Sequence, residues 1–202
     1  MLITGIRSKP VYAPLAPDVG GRHHVLVGHG VGGEPLLRVI TALREAGSSR
    51  VSSLLLYVAD TAAPDALEAV SAAELESVSC FPGTSALLDA LRVTLDAGLM
   101  GTRLYVAGPE AFMGLVMRLA AEFNLNRDEI RAEECGSRAR RVHCIHCRAA
   151  TEGVRTNIVE CAGCRRWLVV RDHYSRRLAA YMGVMVDAEV SGQLPEIREV
   201  FV

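Results

Sequence analysis

Apolar positions along the chain fall into short continuous runs, separated by stretches of helical periodicity. His24-Val-Leu-Val27 is the first run, and it ends in a glycine-rich turn, Gly28 to Pro35. Leu36 to Ala46 has the spacing of an amphipathic helix that stops at Gly47, with Pro35 suited to the first helical turn. The pattern then predicts a buried strand over Val51 to Val58, a helix over Asp65 to Ala73 and a short strand over Glu76 to Phe81. A second amphipathic helix is expected over Ser85 to Ala97, capped by Thr84 or Ser85 and followed by Gly98. Arg103 to Ala107 reads as a buried strand, Gly108-Pro109 as the turn into a helix reaching about Phe123, and Ile130 to Glu133 as a last strand. Strands that are apolar throughout and alternate with helices imply a parallel sheet covered on both faces. The expected fold class is therefore α/β: a small doubly wound sheet over residues 23–135, preceded by a Pro- and Gly-rich arm over residues 1–22.

After Cys135 the pattern changes. Residues 137–141 are polar and basic, and two C-x-x-C pairs follow, Cys144/Cys147 and Cys161/Cys164. Residues 136–202 are expected to form a second domain, a four-cysteine zinc-ribbon-like module. Thr151 to Glu160 is read as a hairpin linking the pairs, with a strand over Thr156 to Val159. A closing helix is expected over His173 to Gly183, with Asp172 as its cap, and the tail from Val184 is expected to pair along an edge.

Composition bears on chemistry mainly through cysteine and arginine. The opening Met1 to Pro10 lacks the apolar stretch of a signal peptide, and no segment approaches the roughly 20 apolar residues of a membrane span. That gives a cytoplasmic, non-membrane reading, in which six cysteines point to metal or redox use and not to disulfides. A C-x-x-C turn aims two thiolates at one ion, and a second turn completes a tetrahedron. Cys144, Cys147, Cys161 and Cys164 are thus the expected metal ligands, with structural Zn²⁺ as the ion; a rubredoxin-like iron uses the same four thiolates and stays open as an electron-carrier alternative. His143 and His146 flank the first pair without being needed as ligands, and Cys80 and Cys135 read as ordinary thiols. No nucleophile, acid–base pair or open metal site stands out, so no catalytic residue is named.

Between Arg131 and Arg177 there are 11 arginines and 5 acids, against 11 basic residues and 18 acids elsewhere. Four thiolates around Zn²⁺ leave a net −2, which Arg148, Arg155, Arg165 and Arg166 lie close enough in sequence to offset. Arg171, His173, Arg176 and Arg177 extend past the cysteines, as a docking face for an acidic protein partner or as a solvated helix face. A net charge of −1 and few aromatics speak against nucleic acid.

The glycine-rich turn between strand and helix is the kind of element that brings backbone N–H groups to a phosphate. Together, "VLVGHGVGGEPLL", "LYVAGPEAFM" and "IRAEE" resemble the nicotinamide-nucleotide domain of ferredoxin reductase-type flavoproteins. That resemblance implies that Gly28, Gly30, Gly32 and Pro35 shape a pyrophosphate loop and that Gly108 and Pro109 approach the nicotinamide. This sequence departs from that family in having His29 for Gly, Glu34 for Thr or Ser, and Ala107 for Cys. With 22 residues before the first strand, no flavin-binding barrel is expected in this chain.

Joined to such a domain, "CIHCRAATEGVRTNIVECAGCRRWLVVRDHYSRRLAAYMGVMVDAE" resembles the A-subunit family of bacterial dimethylamine monooxygenases. The resemblance implies a multi-subunit system that demethylates a secondary amine with NADPH and O₂. Its partners would be a flavin/iron–sulfur reductase subunit, holding FMN and a [2Fe–2S] cluster, and a haem oxygenase subunit. This chain would then be an accessory or electron-transfer scaffold without a complete active site. A nicotinamide-binding subunit of a split flavin reductase, taking NADPH itself, is the alternative.

Overall fold

The computed structural model describes residues 8–46, 52–59, 66, 68–70, 77–189 and 192–202. The chain divides into two compact units, Tyr12–Gly136 and a second formed by residues 8–11 with Ser137–Val202.

The Tyr12–Gly136 unit is a five-stranded parallel sheet. Its strands are β1 (His23–His29), β2 (Ser52–Val58), β3 (Ser77–Phe81), β4 (Thr102–Gly108) and β5 (Ile130–Glu134), in the spatial order β3-β2-β1-β4-β5. In register, Val25 lies between Leu54 and Leu104, and Val27 between Leu56 and Val106. The central strands are apolar on both faces because helices cover both. On one side α1 (Gly33–Glu45) sends Leu36, Val39, Ile40 and Leu43 against Leu26, Leu55, Tyr57 and Tyr105. On the other, α2 (Thr84–Asp96) and α3 (Glu110–Ala120) pack Leu87, Leu91, Leu95, Met113 and Val116 against Val25, Val27, Leu104 and Val106.

Several expectations change in detail. Gly83, in extended conformation, precedes α2, and neither Thr84 nor Ser85 caps it; the helix begins at Thr84 itself. Of the helix expected over Asp65 to Ala73, residues 66 and 68–70 are helical, and the remainder, like Gly47, lies outside the described residues. The expected arm is divided between the units. From Tyr12 onward it belongs with the sheet: Leu15 is 6% exposed, its amide donates to Glu133 Oε2 (2.5 Å), and the Asp18 amide donates to Tyr105 Oη (2.9 Å). Asp18 also accepts from Arg103 Nε at 2.7 Å.

The second unit is a separate five-stranded sheet. It comprises β6 (Arg140–Cys144), β7 (Ala150–Val154), β8 (Ile158–Glu160), β9 (Trp167–Ser175) and β10 (Ala180–Met185), in the order β7-β6-β10-β9-β8. The helix expected over His173 to Gly183 is absent, and the correction has a clear cause. Tyr174 and Tyr181 face inward and meet edge-on at 5.1 Å, while His173, Arg176 and Arg177 face solvent. Residues 176–179 form the turn of an antiparallel β9–β10 pair that sets Tyr181 opposite Tyr174, and Asp172 binds Arg140 (2.8 Å) instead of capping a helix.

The linking hairpin is also corrected. β7 pairs with β6 and β8 with β9, so β7 and β8 lie at opposite edges of the sheet. The tail does pair, with Thr156 bridging Glu199 and the Val200 amide donating to the Arg155 carbonyl at 2.9 Å. Phe201 and Tyr181 lie on the guanidinium of Arg140, each 3.8 Å from its carbon to the ring centre. No helix among the described residues is long and apolar enough to cross a membrane.

Candidate metal centre

Each cysteine pair is the turn of its own hairpin. Cys144 ends β6, and the chain returns as β7; Cys161 follows β8, and the chain returns as β9. The two turns repeat one hydrogen-bond pattern. The Cys144 amide donates to the Ala149 carbonyl (2.9 Å) and the Arg148 amide to the Cys144 carbonyl (2.9 Å). At the second turn the Cys161 amide donates to the Arg166 carbonyl (2.9 Å) and the Arg165 amide to the Cys161 carbonyl (3.1 Å). In each, the residue after the second cysteine is left-handed, Arg148 at φ 65° and Arg165 at φ 62°. β10, lying between β6 and β9, sets the two turns side by side, and its Gly183 carbonyl accepts from the Ile145 amide at 3.1 Å.

The four sulfurs all lie within 4.8 Å of one another. Cys144 Sγ is 3.8 Å from Cys164 Sγ, and Cys147 Sγ is 3.5 Å from Cys161 Sγ. Four thiolates at about 2.3 Å from a central ion form a tetrahedron with edges of about 3.8 Å, so these separations fit a single ion. The four cysteines from the sequence reading are brought together; Cys80 and Cys135 stand apart from them. His146 is turned away from a ligand role, because its Nε2 accepts the Met185 amide at 3.2 Å.

The thiols differ in their surroundings. Burial pushes Cys144 up to about 11 against the pull of the Cys147 and His146 amides. Burial also works upward on Cys161, but the amides of Cys164 and Gly163 hold it below its usual value. The Arg166 amide and then its guanidinium bring Cys164 down to about 6. Of the four arginines expected to offset the site's charge, Arg166 therefore reaches a sulfur, whereas Arg165 turns to Glu160 at 2.7 Å.

Sequence reasoning misses two glycines. A Cβ on Gly163 would stand 2.7 Å from Ala149 Cβ and 3.1 Å from Cys147 Sγ, so the second turn needs glycine where the two turns meet. A Cβ on Gly183 would meet Val142 Cγ1 at 2.7 Å and Leu168 Cδ1 at 2.9 Å. The signals are a glycine inside a C-x-x-C and a glycine in mid-strand, which marks close packing.

The glycine-rich turn of the parallel sheet lies at the ends of β1 and β4. Gly28 and His29 close β1, Gly30 (φ 55°) to Gly32 form a single 3₁₀ turn, and Pro35 is buried in the first turn of α1. A Cβ on Gly32 would lie 2.2 Å from the Ala107 carbonyl oxygen, so the β1–α1 turn rests directly on the β4 backbone just before Gly108 and Pro109. The buried Tyr57 hydroxyl donates to the Gly30 carbonyl. Glu34 is exposed in the first turn of α1, and Glu110 is the buried first residue of α3. Cys135 follows β5, and its thiol is pushed up to about 11, first by burial and then by the carboxylates of Glu133, Glu34 and Glu134.

The chain matches a family model described as dimethylamine monooxygenase subunit DmmA-like, N-terminal domain, over residues 4–130, and the corresponding C-terminal domain over residues 141–184. It is 36% identical over 109 residues to the "Heme-dependent oxidative N-demethylase delta subunit" of Ectopseudomonas mendocina (strain ymp), a match covering 54% of this chain and 62% of that relative's length. Among solved structures it is similar to phthalate dioxygenase reductase, with a TM-score of 0.47 at 16% identity over 68% of this chain and 45% of that one. It is also similar to the Amycolatopsis cytochrome P450 reductase GcoB, with a TM-score of 0.42 at 18% identity over 62% of this chain and 42% of that one. With matches to both of its domain models, the chain belongs to the DmmA-like family of dimethylamine monooxygenase subunits.

Proposed function

We propose that this chain is an accessory subunit of a multi-subunit, NADPH- and O₂-dependent amine N-demethylase, and that Cys144, Cys147, Cys161 and Cys164 hold one structural Zn²⁺. The observation that carries the reading is the convergence of four sulfurs from two matching turns at tetrahedral separations. The buried cluster around them is small, consisting of Cys144, Cys161 and Leu168 with Ala149, Val159 and Cys164 beside it. The ion, when bound, would add to the buried packing of Val142, Ile158, Leu168 and Tyr181 by tying the two turns together. Zinc, when bound, supplies a redox-inert crosslink between the two hairpins. The relative's name places that protein in an oxidative N-demethylase. FMN, [2Fe–2S] and haem are assigned to partner subunits, a flavin/iron–sulfur reductase and a haem oxygenase, with dimethylamine as substrate.

The β9–β10 hairpin offers the face for such a partner. His173, Arg176 and Arg177 are exposed there, while the neighbouring acid, Asp172, is held by Arg140. The Ser8 amide reaches the Asp172 carbonyl (3.4 Å), which brings the exposed Lys9 alongside. An acidic partner surface complements this cluster, and the association should weaken steeply with salt.

Two measurements test the proposal. Metal analysis with a visible spectrum should find one zinc in a colourless protein; a red, iron-containing protein would make the chain an electron carrier instead. Co-expression with the reductase and haem subunits should yield a stable complex, and elution of this chain alone would remove the accessory role.

A further inference from the structure

The sheet edge that receives a nucleotide in doubly wound folds lies at the carboxyl ends of the strands, at the point where the strand order reverses. Here that point falls between β1 and β4, at Gly28–Gly32 and Gly108–Pro109. A pyrophosphate is held in such crevices by free backbone N–H groups and the positive end of a helix dipole.

The helices that follow β1 and β4 each carry a glutamate in the first turn. α1 has Glu34 exposed in its first turn, and α3 begins at the buried Glu110. Glu133 and Glu134 end β5 beside β4, and after burial the carboxylates of Glu133, Glu34 and Glu134 push the Cys135 thiol up. Arg38, one turn along α1, is bound to Glu133 Oε2 at 2.5 Å, an oxygen that also accepts the Leu15 amide. Gly136 is laid against the turn as well: a Cβ there would sit 3.2 Å from Val31 Cγ2 and 3.7 Å from Pro109 Cγ. The residues present do not fit a nicotinamide dinucleotide.

We infer that the crevice at the ends of β1 and β4 is set against dinucleotides by Glu34 and Glu134, so hydride from NADPH enters the complex through another subunit. The fold keeps the shape of a nucleotide-binding sheet but presents like charge to the phosphates. The Tyr12–Gly136 unit as a whole has nine basic residues against sixteen acids, so its wider field also opposes an anion. A single carboxylate about 5 Å from a phosphate, at an effective dielectric of about 40, weakens binding by roughly tenfold. This inference is independent of the metal centre, so either can fail without the other.

The test is a calorimetric titration of the metal-replete full chain with NADPH, repeated for Glu34→Thr and for Glu34→Thr combined with Glu134→Gln. The wild-type chain should show no saturable binding below millimolar NADPH. Glu34→Thr should gain measurable affinity, the double variant roughly tenfold more, and excess inorganic pyrophosphate should displace the nucleotide from both. Saturable wild-type binding displaced by pyrophosphate would overturn the inference. Variants that stay silent, with an unchanged circular dichroism spectrum, would overturn the assignment to these carboxylates. Glu34→Gln, which keeps the side-chain volume, checks that any gain follows charge and not space.

Discussion

The two sheets of this chain are held together by different means. The parallel sheet buries aliphatic clusters on both faces, with Leu26, Leu36, Leu55, Leu87, Leu91, Leu104 and Met113 at most 0% exposed. The mixed sheet of the second unit buries Val142, Val154, Ile158, Leu168 and Tyr181, and around its two turns it has a smaller cluster of Cys144, Cys161 and Leu168. Hydrophobic burial suffices for the first, at about 25 cal/mol per Å² of apolar surface. In the second, a metal crosslink between the two turns would add to such burial. The difference also separates their chemistry. The grouping of four cysteines belongs to the second sheet, and the glycine-rich turn belongs to the first.

The largest expected effect comes from breaking this contrast at the sulfurs. Chelation of the metal, or Cys161→Ser, should remove a contribution on the order of 10 kcal/mol from the second unit. Amides of β6, β9 and β10 should lose hydrogen-exchange protection, while those of β1 and β4 keep theirs. Equal loss in both sheets would show that the two are not stabilised separately. The converse experiment is Leu91→Ala, which empties a fully buried site between α2 and the sheet. It should cost about 2–5 kcal/mol in chemical denaturation of the parallel sheet and leave metal affinity unchanged.

Glycine substitutions sharpen the comparison on a smaller scale. Gly183→Ala forces a methyl between Val142 and Leu168 and should cost about 1–3 kcal/mol. Gly163→Ala crowds Ala149 and Cys147 Sγ and should lower zinc affinity in a competition titration. Gly153 lies in the same sheet with nothing near its added Cβ but at φ 66°, so Gly153→Ala carries the backbone strain alone. If Gly163→Ala loses no more zinc affinity than Gly153→Ala, contact between the two turns is not what glycine provides there.

The parallel sheet was largely legible in sequence because its period signals are local. Val25 and Val27 in β1 and Leu104 and Val106 in β4 belong to continuous apolar runs, and each following glycine turn begins a helix. The grouping of the four cysteines was legible for the same reason, since C-x-x-C spacing is itself the geometry of a sulfur-bearing turn. The pairing of β9 with β10 was not, because Tyr174 and Tyr181 are seven positions apart, a spacing that two helical turns also place on one face. What separates the readings is the partner across the sheet, Val142 beside Tyr181, and that contact is nonlocal. Leu15 was missed because an isolated apolar residue in a proline-rich stretch has no period at all; its side chain joins the cluster of Leu26, Leu36 and Tyr105, and its amide is held by Glu133, 118 positions away.

The smallest prediction concerns a buried polar pair that belongs to the parallel sheet alone. His24 is 1% exposed, stacks on Tyr105 with ring centres 5.6 Å apart, and has its Nδ1 3.2 Å from the tyrosine hydroxyl. Burial holds its pKa below the ordinary 6.5, against the Gly21 backbone and Asp18, which act to raise it. The unfolded chain therefore takes up a proton at this position at a higher pH than the folded chain does. The stabilisation from keeping His24 neutral is complete above 6.5 and is lost as pH falls from there toward the folded value. The melting temperature of the parallel sheet should fall across that window. In His24→Gln, which keeps a side-chain amide beside Tyr105 but cannot titrate, that part of the slope should vanish. Because the two units are stabilised differently, metal-dependent protection of β6 and β10 should be unchanged by the substitution. A slope that survives His24→Gln would assign the acid sensitivity to another group of this sheet.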